Sequence, residues 1–535
     1  MVKSFCFSNF APNNNSMSLN KQYPIGEQDF ANIRNQNMVY IDKTHLIYDI
    51  VNKSGKYFFF RPRRFGKSLL LSTMRYYFEG RRELFEGLAI NDLEKEWRKR
   101  PVIYLDLSRG RTMDMGSLDS MINNNLSDYE TQYHITVDEK DSYSTRLTKI
   151  IKEAYKATNE QVVVLIDEYD APMLDTLGDI ELKKKVRNKV RDLYSPLKAQ
   201  SEFLRFVFLT GITKFSQLSI FSELNNLTDI SMDRRYIEIC GITESEIHDH
   251  FDKEIESLAH NYNISKDQCY TWLKEMYDGY HFRPKSIGIY NPFSLLNALD
   301  KQEIRSFWFE SGTPTALVEA MQRNNYSLEH LTNEEVSSEI MSNVDSDELS
   351  PIPLIYQSGY LTIKGYDEEF GTYKLGFPNK EVSEGFTKFL LPYYSPIQKG
   401  QEAFFISNFV KEIRNGQPEA FMKRMDSLFA DGKYQIIGDE EKYFHNAVYI
   451  IFKMLGFYVD VEYMTSDGRI DLLLKTNDYI YILEFKINES AEAALKQIED
   501  KQYAKPFESS GKTIIKIGIT FSTNNRRIED FLINK

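Results

Sequence analysis

The chain has 535 residues, which is too many for one hydrophobic core and predicts three or four domains. Hydrophobic residues make up 42% and aromatic residues 14% of the sequence, a composition typical of a chain that packs. The formal net charge of −12 argues against binding of a polyanion over the whole surface but leaves room for a local basic patch.

Cysteine usage and hydropathy predict a cytoplasmic protein. The three cysteines, Cys6, Cys240 and Cys269, form no C-x-x-C pair, which excludes a cysteine-based zinc site and a disulfide framework. Residues 1–10 lack the long apolar segment of a signal peptide. The sequence contains no run of about 18 apolar residues, so we expect no contact with a membrane.

The first part of the chain predicts a flexible arm followed by an α/β domain. Residues 1–24 are rich in Asn and Ser and predict a loose arm. Over residues 25–240, apolar strands alternate with helical patterns, which predicts a parallel sheet covered on both faces. The five predicted strands are Tyr57–Phe60, Val102–Leu107, Val162–Ile166, Leu204–Leu209 and Tyr236–Cys240.

The first of these strands runs into a basic loop, Arg61–Ser68, that ends Gly-Lys-Ser and opens into a helical pattern. In a phosphate-binding P-loop, backbone N–H groups face the anion, Lys67 reaches the outer phosphates and Ser68 holds Mg²⁺. The usual pattern, G-x-x-x-x-G-K-[ST], has a glycine where Arg61 stands. The predicted nucleotide-binding residues of the loop are Arg64, Phe65, Gly66, Lys67 and Ser68.

The third strand ends in Asp167-Glu168, which predicts the second half of an ATPase site. Asp167 would hold Mg²⁺, directly or through water, and Glu168 would act as the base that polarises the attacking water. An acidic pair at a strand end also occurs by chance. Here it follows Ser68 by about 100 residues with one strand between, an order typical of ATPases in which a further strand separates the two motif strands.

The fourth strand ends at Thr210, which is the candidate sensor of the γ-phosphate; the alternative is an ordinary strand-to-loop threonine. A hydrolysis-competent ring would also need an arginine finger, so a homo-oligomer is one open alternative. The sequence does not choose among the available arginines, which are Arg61, Arg63, Arg64, Arg234 and Arg235.

Residues 241–395 predict a mostly helical connecting region. Glu244–Ala259 and Lys266–Met276 are amphipathic at helical spacing, and Ser358–Ile363 is typical of a strand. Aromatic residues here could stack on nucleic-acid bases, but the pattern favours their filling a helical core.

Residues 396–535 predict a separate domain with the element order helix, strand, strand, strand, helix, strand. The segments are Glu441–Leu455, Tyr458–Tyr463, Ile470–Leu474, Tyr479–Lys486, Ala491–Tyr503 and Ile514–Phe521.

Two of these strands carry residues suited to metal-dependent phosphodiester cleavage. Glu484 and Lys486 fall on one face of a strand, and Asp471 lies on the preceding strand at hairpin spacing. Asp471 and Glu484 would bind Mg²⁺, with Glu441 as a further ligand, while Lys486 would orient water and stabilise negative charge. Gln497, on the next helix, is placed toward the same edge. Glu-x-Lys alone is very common on strands and would not by itself indicate a nuclease.

These motifs together resemble those of bacterial proteins that pair an AAA-ATPase-like domain with a C-terminal PD-(D/E)XK nuclease domain. The resemblance implies that R-P-R-R-F-G-K-[ST] is the family's own P-loop form, and that the metal ligands fall on Asp471 and Glu484 with the lysine at Lys486. The matching segments are Ile25-Gly26, Tyr40–Thr44, Arg61–Ser68, Asp167–Asp170, Tyr277–Phe282, Tyr290–Ser294, Gly468–Asp471, Glu484–Lys486 and Ala494–Gln497.

The predicted fold class is therefore α/β multidomain, with a P-loop ATPase parallel sheet, a helical middle region and a C-terminal domain similar to restriction endonucleases. The leading hypothesis is an ATP-dependent or ATP-regulated, Mg²⁺-dependent nuclease, a hydrolase that uses ATP and acts on DNA in preference to RNA. Residues 51–110 hold fourteen Lys and Arg against seven Asp and Glu, a basic patch that suits a local contact with nucleic acid; the alternative is an ordinary solvated surface.

The sequence leaves two alternatives open. One is a nucleotide-driven switch whose nuclease fold binds nucleic acid or a protein partner without cutting. The other is a nuclease whose P-loop binds nucleotide without turnover, against which Glu168 argues because binding alone needs no base.

Overall fold

A computed structural model of the chain describes residues 22–214, 227–311, 315–324, 326–328, 331, 334–338, 341, 351–394, 397, 400–430, 440–456, 459–463, 471–487, 489–522 and 527–535. The chain divides into two compact units. The N-terminal unit comprises the described parts of Ala11–Gly312 and Thr332–Val382, and the C-terminal unit those of Thr313–Leu331 and Ser383–Lys535. The predicted boundaries between residues 24 and 25, 240 and 241, and 395 and 396 are not tested by this division into two units, and they stay predictions.

The N-terminal unit is built on a five-stranded parallel sheet in the order β2-β3-β4-β1-β5. All six residues of β3 are buried, because helices cover both faces of the sheet. Strand β4 lies between β1 and β3, as the order of the two motifs predicts. The strands are β1 Gly55–Phe60, β2 Val102–Asp106, β3 Val162–Asp167, β4 Leu204–Gly211 and β5 Leu227–Asp229.

Twelve helices of this unit precede residue 302 within the described ranges. They are α1 Phe30–Asn35, α2 Thr44–Val51, α3 Lys67–Phe78, α4 Ala89–Leu93, α5 Met115–Gln132, α6 Tyr143–Thr158, α7 Ala171–Asp175, α8 Ile180–Tyr194, α9 Pro196–Ala199, α10 Glu244–Asn261, α11 Lys266–Tyr277 and α12 Pro292–Lys301. Short 3-10 helices are Arg82–Phe85, Ser201–Phe203, Arg234–Tyr236 and Trp308–Ser311.

The prediction of a fifth strand at Tyr236–Cys240 is wrong. The fifth strand is Leu227–Asp229, while Arg234–Tyr236 forms a 3-10 helix and the residues after it form turns. Ile237 and Ile239 are buried although they lie outside helices and strands. The apolar residues at 236–240 therefore indicate a buried segment rather than a strand. The observed strand, Leu227–Asp229, has only three residues, too few to show the alternation of apolar and polar residues that would predict it.

The middle region is mainly helical, as predicted, but it also contains a three-stranded antiparallel sheet in the order β6-β8-β7. The predicted strand at Ser358–Ile363 begins only at Thr362, because Gly359 adopts a φ of +90° in a turn. A Cβ atom at Gly359 would lie 2.5 Å from Cβ of Pro62, so this turn packs directly behind the P-loop. The elements are β6 Glu334–Ser337, α14 Ile352–Gln357, β7 Thr362–Asp367 and β8 Thr372–Gly376.

The C-terminal unit holds a mixed five-stranded sheet in the order β13-β12-β11-β10-β9, in which β11 and β12 are parallel and the other neighbours antiparallel. Its last strand was not recognised in the sequence. The strands are β9 Asp460–Tyr463, β10 Leu472–Lys475, β11 Tyr479–Ile487, β12 Thr513–Ser522 and β13 Arg527–Asn534. The helices are α13 Thr315–Arg323, α15 Lys380–Tyr394, α16 Glu402–Arg414, α17 Pro418–Ala430, α18 Glu440–Leu455, α19 Ala491–Asp500 and the 3-10 helix Lys505–Ser510.

The architecture confirms the predicted fold class: a parallel P-loop-type sheet, a mainly helical middle region and a C-terminal mixed α/β sheet. Across the part of the chain that the structure describes, no helix combines the length and apolar character needed to cross a membrane.

Candidate functional site

The loop between β1 and α3 has the backbone geometry of an anion-binding turn. Gly66 adopts a φ of +91° directly before α3, and a Cβ added there would meet nothing within 4 Å. Glycine is therefore required for the backbone conformation rather than for space. Arg64 also has a positive φ, of +68°. The turn brings the first N–H groups of α3, which have no partner inside the helix, to the end of the loop.

Lys67 is held across this loop by main-chain oxygens. Its Nζ donates to the carbonyl oxygens of Arg61 at 3.1 Å and Pro62 at 3.3 Å, and it lies 3.5 Å from Oε1 of Glu168. Glu168 has a φ of +48°, so the backbone bends directly after β3. Lys67, the predicted phosphate-binding lysine, and Glu168, the predicted base, are thus neighbours. The lysine is buried in this position, with 4% of its surface exposed.

Arg61, which stands where the usual motif has its first glycine, points away from the loop. Its guanidinium lies 4.4 Å from the ring centre of Phe59 and 3.9 Å from that of Phe282, and it donates to the carbonyl oxygen of Ser231 at 2.7 Å. Burial lowers the pKa of Arg61 to about 10. Because the side chain is 1% exposed, it is not available as an arginine finger, which corrects that alternative.

Phe65 is likewise turned inward. Its ring packs edge-on against Tyr280 and Phe282 at centroid distances of 4.8 and 5.4 Å. These aromatic residues of the middle region fill a core, as the pattern favoured. The predicted contact of Phe65 with nucleotide would therefore have to use its main chain. The guanidinium of Arg64 is exposed and lies 4.9 Å from the ring centre of Phe293.

Asp167 is buried among hydroxyl groups at the end of β3. Thr210 donates to Oδ1 at 2.6 Å, Tyr104 donates to Oδ2 at 3.1 Å, and Ser68 also hydrogen-bonds the carboxylate. Burial and the nearby charge of Glu168 raise the pKa of Asp167. The two predicted Mg²⁺ ligands, Ser68 and Asp167, are therefore adjacent. Thr210 is fully buried and bonded to Asp167, so its predicted sensor role stays a prediction.

Asp170 was not assigned a role from the sequence, yet it joins the ends of β3 and β4. Its carboxylate accepts the N–H of Ile212 at 3.0 Å and both the N–H and the hydroxyl of Thr213 at 2.6 Å. Burial raises its pKa to about 7. A Cβ at Gly211 would lie 2.5 Å from Oδ1 of Asp170, so this packing requires a glycine.

A cavity of about 630 Å³ opens beside these groups, a size typical of small-molecule sites. Its polar lining includes Lys67, Ser68 and Glu168, and apolar side chains complete it. Sequence reasoning missed those apolar residues as ligand contacts, although the segments of Ile25 and Phe293 carried part of the family resemblance. They include Ile25, Phe293 and Leu296.

The C-terminal unit brings the predicted nuclease residues together. β10 and β11 pair antiparallel with Leu472 opposite Leu483, which places Asp471 beside Glu484 as the hairpin spacing predicts. Oδ2 of Asp471 accepts the N–H of Phe485 at 2.9 Å, which fixes this carboxylate against β11.

Gln497 connects the lysine and the glutamate of this site. Its Nε2 donates to Oε1 of Glu484, and its Oε1 accepts a hydrogen bond from Nζ of Lys486 at 2.6 Å. Lys486 Nζ also lies 3.6 Å from Oε1 of Glu484. The Lys486 side chain is 23% exposed and that of Glu484 only 1%, so the cluster opens to solvent on the lysine side.

The residues present fit a divalent cation. Oε2 of Glu484 is buried and accepts no hydrogen bond from the described residues. Burial and the charge of Asp471 raise the pKa of Glu484 to about 7, and a bound cation would favour its ionised form. No group of three or more His, Cys, Asp or Glu among the described residues could hold a metal. The side chain of Glu441, on α18, and residues 468–470 lie outside the described residues.

Two family models match the parts of the chain that contain these two candidate sites. The family model described as predicted AAA-ATPase matches residues 24–221, and the PD-(D/E)XK nuclease superfamily model matches residues 439–531. A protein of Azotobacter chroococcum mcd 1, named "Uncharacterized protein in vnfD 5′ region", is 35% identical over 528 residues, covering 96% of this chain and 99% of that protein.

Solved structures show only weak similarity. The signal transduction ATPase with numerous domains and a tetratricopeptide repeat sensor from Pyrococcus horikoshii is 12% identical, with a TM-score of 0.24, over 87% of this chain and 55% of that chain. The ORC1 protein from Aeropyrum pernix, in complex with DNA, is 10% identical, with a TM-score of 0.25, over 65% of this chain and 93% of that chain. TM-scores this low support no assignment.

The identity and coverage of the Azotobacter match are high enough to establish kinship over nearly the full length of both chains. The protein therefore belongs to the same family as the Azotobacter chroococcum protein and joins an AAA-ATPase-like domain to a PD-(D/E)XK nuclease superfamily domain.

Proposed function

We propose that the protein is an ATP-dependent or ATP-regulated nuclease that hydrolyses phosphodiester bonds in DNA with the help of Mg²⁺. The presence of an ATPase-like domain and a nuclease-superfamily domain on one chain supports the coupling of the two activities. The observation that carries the proposal is the network of Glu484, Lys486 and Gln497 beside Asp471, with one glutamate oxygen unbonded within the described residues.

In this proposal, the side chains of the C-terminal unit prepare a phosphate for attack by water. Asp471 and Glu484 would hold Mg²⁺, which when bound lowers the pKa of a water and neutralises phosphate charge. Gln497 fixes the ammonium of Lys486 near Glu484, so that its remaining donors are available to orient water and the developing negative charge. The 1% exposure of Glu484 keeps bulk water from its unbonded oxygen.

The N-terminal unit would bind ATP with Gly66, Lys67 and Ser68 at the phosphates and would hydrolyse it with Glu168 as the base. Mg²⁺, when bound with the nucleotide, would supply positive charge that neutralises the outer phosphates. Ser68 and Asp167 are adjacent and could hold that ion. A phosphate would provide acceptors for Lys67, which now donates to two carbonyl oxygens and faces Glu168.

Cleavage assays with the full chain test the nuclease assignment. Supercoiled DNA, linear DNA and an RNA of the same sequence are incubated with Mg²⁺ or with a chelator, with ATP present throughout. We expect Mg²⁺-dependent cleavage of DNA that falls by about 10³-fold in Lys486→Ala. Lys496→Ala, on the exposed side of the same helix as Gln497, is the matched control and should cut normally. Cleavage by Lys486→Ala at the wild-type rate would rule out Lys486 as part of the catalytic site. Cleavage of RNA but not of DNA would rule out DNA as the substrate.

One observation favours the switch as a second candidate. The described residues supply two carboxylates rather than a group of three for a metal. A nuclease fold that binds without cutting would need no complete ligand set. If the wild-type chain binds DNA, cuts no nucleic acid with Mg²⁺, and changes its DNA affinity with ATP, the switch replaces the nuclease.

A further inference from the structure

We propose that Arg111 is a catalytic arginine supplied in cis, whose guanidinium contacts the terminal phosphate of the nucleotide bound at Lys67. The inference rests on the ATPase part of the proposed function and makes it more specific. A single copy of the chain would then carry its own arginine for hydrolysis, and an arginine finger from a neighbouring subunit would not be needed.

Arg111 lies in the wall of the nucleotide cavity. The cavity of about 630 Å³ is lined by Lys67, Ser68 and Glu168, and by Arg111. The loop that carries Arg111 follows β2, the edge strand that pairs with β3. Because the carboxyl ends of parallel strands meet at one edge of the sheet, this loop borders the Glu168 end of the cavity, and the P-loop borders it from β1.

The backbone on each side of Arg111 is anchored. Oδ1 of Asp106 accepts both the N–H and the hydroxyl of Ser108, at 2.9 and 2.7 Å. On the other side, the N–H of Thr112 donates to Oδ2 of Asp175 on α7 at 2.8 Å. Thr112 is buried, whereas Arg111 is exposed. The backbone on each side of Arg111 is thus bonded to β2 and to α7, and the Arg111 side chain itself is exposed.

The charge of Arg111 is available for a ligand. The guanidinium of Arg111 makes no hydrogen bond or ion pair with any residue that the structure describes. Arg63 and Arg64 also line the cavity, but both belong to the P-loop, whereas Arg111 comes from the loop after β2, beside the strand that leads into Glu168. Nε of Arg109 lies 3.4 Å from Oδ2 of Asp106, and Nη2 of Arg235 lies 2.7 Å from Oδ2 of Asp233. The guanidinium carbon of Arg64 lies 4.9 Å from the ring centre of Phe293.

The chemistry of hydrolysis gives this charge a function. The oxygen of water forms a bond to the γ-phosphorus while the bond from that phosphorus to the β–γ bridging oxygen breaks, and the proton of the water passes to Glu168. Negative charge on the transferred group and on the leaving oxygen needs a cation at the phosphate that Lys67 does not fully supply. An arginine placed at the Glu168 end of the cavity can provide it.

Steady-state ATP hydrolysis and nucleotide binding by the full chain separate this role from a structural one. We expect Arg111→Ala to lower kcat by about 10²-fold or more, with the Kd for ATP changed by less than about 3-fold, and Arg111→Lys to recover part of the rate. Arg109→Ala removes a charge from the same loop outside the cavity lining and should leave kcat within about 2-fold of wild type.

Mixing variants distinguishes cis from trans action. Lys67→Ala chains cannot use ATP but keep Arg111, and Arg111→Ala chains bind ATP but lack the arginine. In cis, an equimolar mixture hydrolyses no faster than the two variants separately, and the wild-type rate per chain is independent of protein concentration. Three outcomes would overturn the assignment of Arg111 while leaving the ATPase proposal intact. They are recovery of hydrolysis in the mixture, a wild-type kcat in Arg111→Ala, and a loss of kcat confined to Arg63→Ala. A wild-type chain that binds ATP without hydrolysing it would instead overturn the ATPase proposal, and the inference with it.

Discussion

The two candidate sites use the same residue types but hold them in opposite ways. In the N-terminal unit, Lys67 is 4% exposed and is bonded to two main-chain carbonyl oxygens, and Asp167 is surrounded by hydroxyl donors. In the C-terminal unit, Lys486 is bonded to a side-chain amide, and Glu484 keeps an oxygen without a donor among the described residues.

This difference shows how each site is ready for its ligand. The backbone creates the N-terminal site, through the loop after β1 and the bend at Glu168, so its anion-binding N–H groups exist before nucleotide arrives. Side chains from β11 and α19 create the C-terminal site, which lacks a donor where a cation would bind. The first site thus presents donors suited to a phosphate, and the second presents a carboxylate oxygen, unbonded within the described residues, that is suited to a cation.

The largest expected effect is at Lys67, the buried lysine that we propose binds the phosphates of the nucleotide. Lys67→Ala should weaken ATP binding by about 10³-fold, because several charge-assisted hydrogen bonds to phosphate are lost together. Isothermal titration with ATP and Mg²⁺ measures this. Lys53→Ala, which removes an exposed lysine paired with Asp49 at 2.8 Å, is the control and should bind normally. An unchanged Kd for ATP in Lys67→Ala would show that the loop Arg61–Ser68 does not bind the nucleotide through this lysine.

The next effect concerns the unsatisfied glutamate. The pKa of Glu484 is about 7 in the folded chain, against an ordinary value of 4.5. The protonated carboxyl therefore stabilises the metal-free fold, and this contribution is fully present below pH 4.5. It is lost as the pH rises through 7, because the buried carboxylate must then ionise. Glu484→Gln cannot ionise, so its stability relative to wild type should increase by about 3 kcal/mol between pH 4.5 and pH 8.

Hydrogen exchange of the β11 amides in the presence of a chelator measures this pH dependence. Mg²⁺ should reduce the difference at pH 8, because it binds only the wild-type carboxylate. A difference that does not vary with pH would contradict the raised pKa.

Gln497 provides a smaller test of the side-chain network. Gln497→Ala should lower Mg²⁺-dependent cleavage by about 10- to 100-fold, because Lys486 and Glu484 lose the group that orients both. Gln497→Glu, which retains an acceptor for Lys486 but loses the donor to Glu484, should be intermediate. Equal rates for wild type and both variants would show that the network has no part in cleavage.

The smallest effect is on stability, at a close approach behind the N-terminal site. Gly211→Ala should destabilise the chain by about 1–2 kcal/mol, since the new Cβ would meet Oδ1 of Asp170 at 2.5 Å. Gly116→Ala, on helix α5, meets its nearest atom at 3.5 Å and should be neutral or slightly stabilising. Denaturant unfolding compares the two, and equal stability would show that the Asp170 packing can relax.

The same comparison explains what the sequence could predict. Asp471, Glu484, Lys486 and Gln497 lie within 27 residues on a hairpin and the following helix, so strand and helix periodicity was enough to bring them together. The P-loop and Asp167-Glu168 were recognised because each directly follows a buried strand.

The parts that could not be predicted depend on the tertiary fold. Ile25, Arg111 and Phe293 reach one cavity from segments far apart in the chain, and no local periodicity connects them. Arg61 occupies the place of a glycine because Phe59 and Phe282 receive its side chain, and Phe282 is more than 200 residues away. The direction of a side chain in a loop is set by such partners rather than by the motif.

The central claim, that nucleotide at the first site controls cleavage at the second, is tested by measuring the Mg²⁺-dependent DNA cleavage rate as a function of ATP concentration. We predict that ATP changes the wild-type rate by about 10-fold or more, that Lys67→Ala abolishes this response, and that Lys486→Ala abolishes cleavage at every ATP concentration. Wild-type cleavage that is the same with and without ATP, and unchanged in Lys67→Ala, would contradict the account.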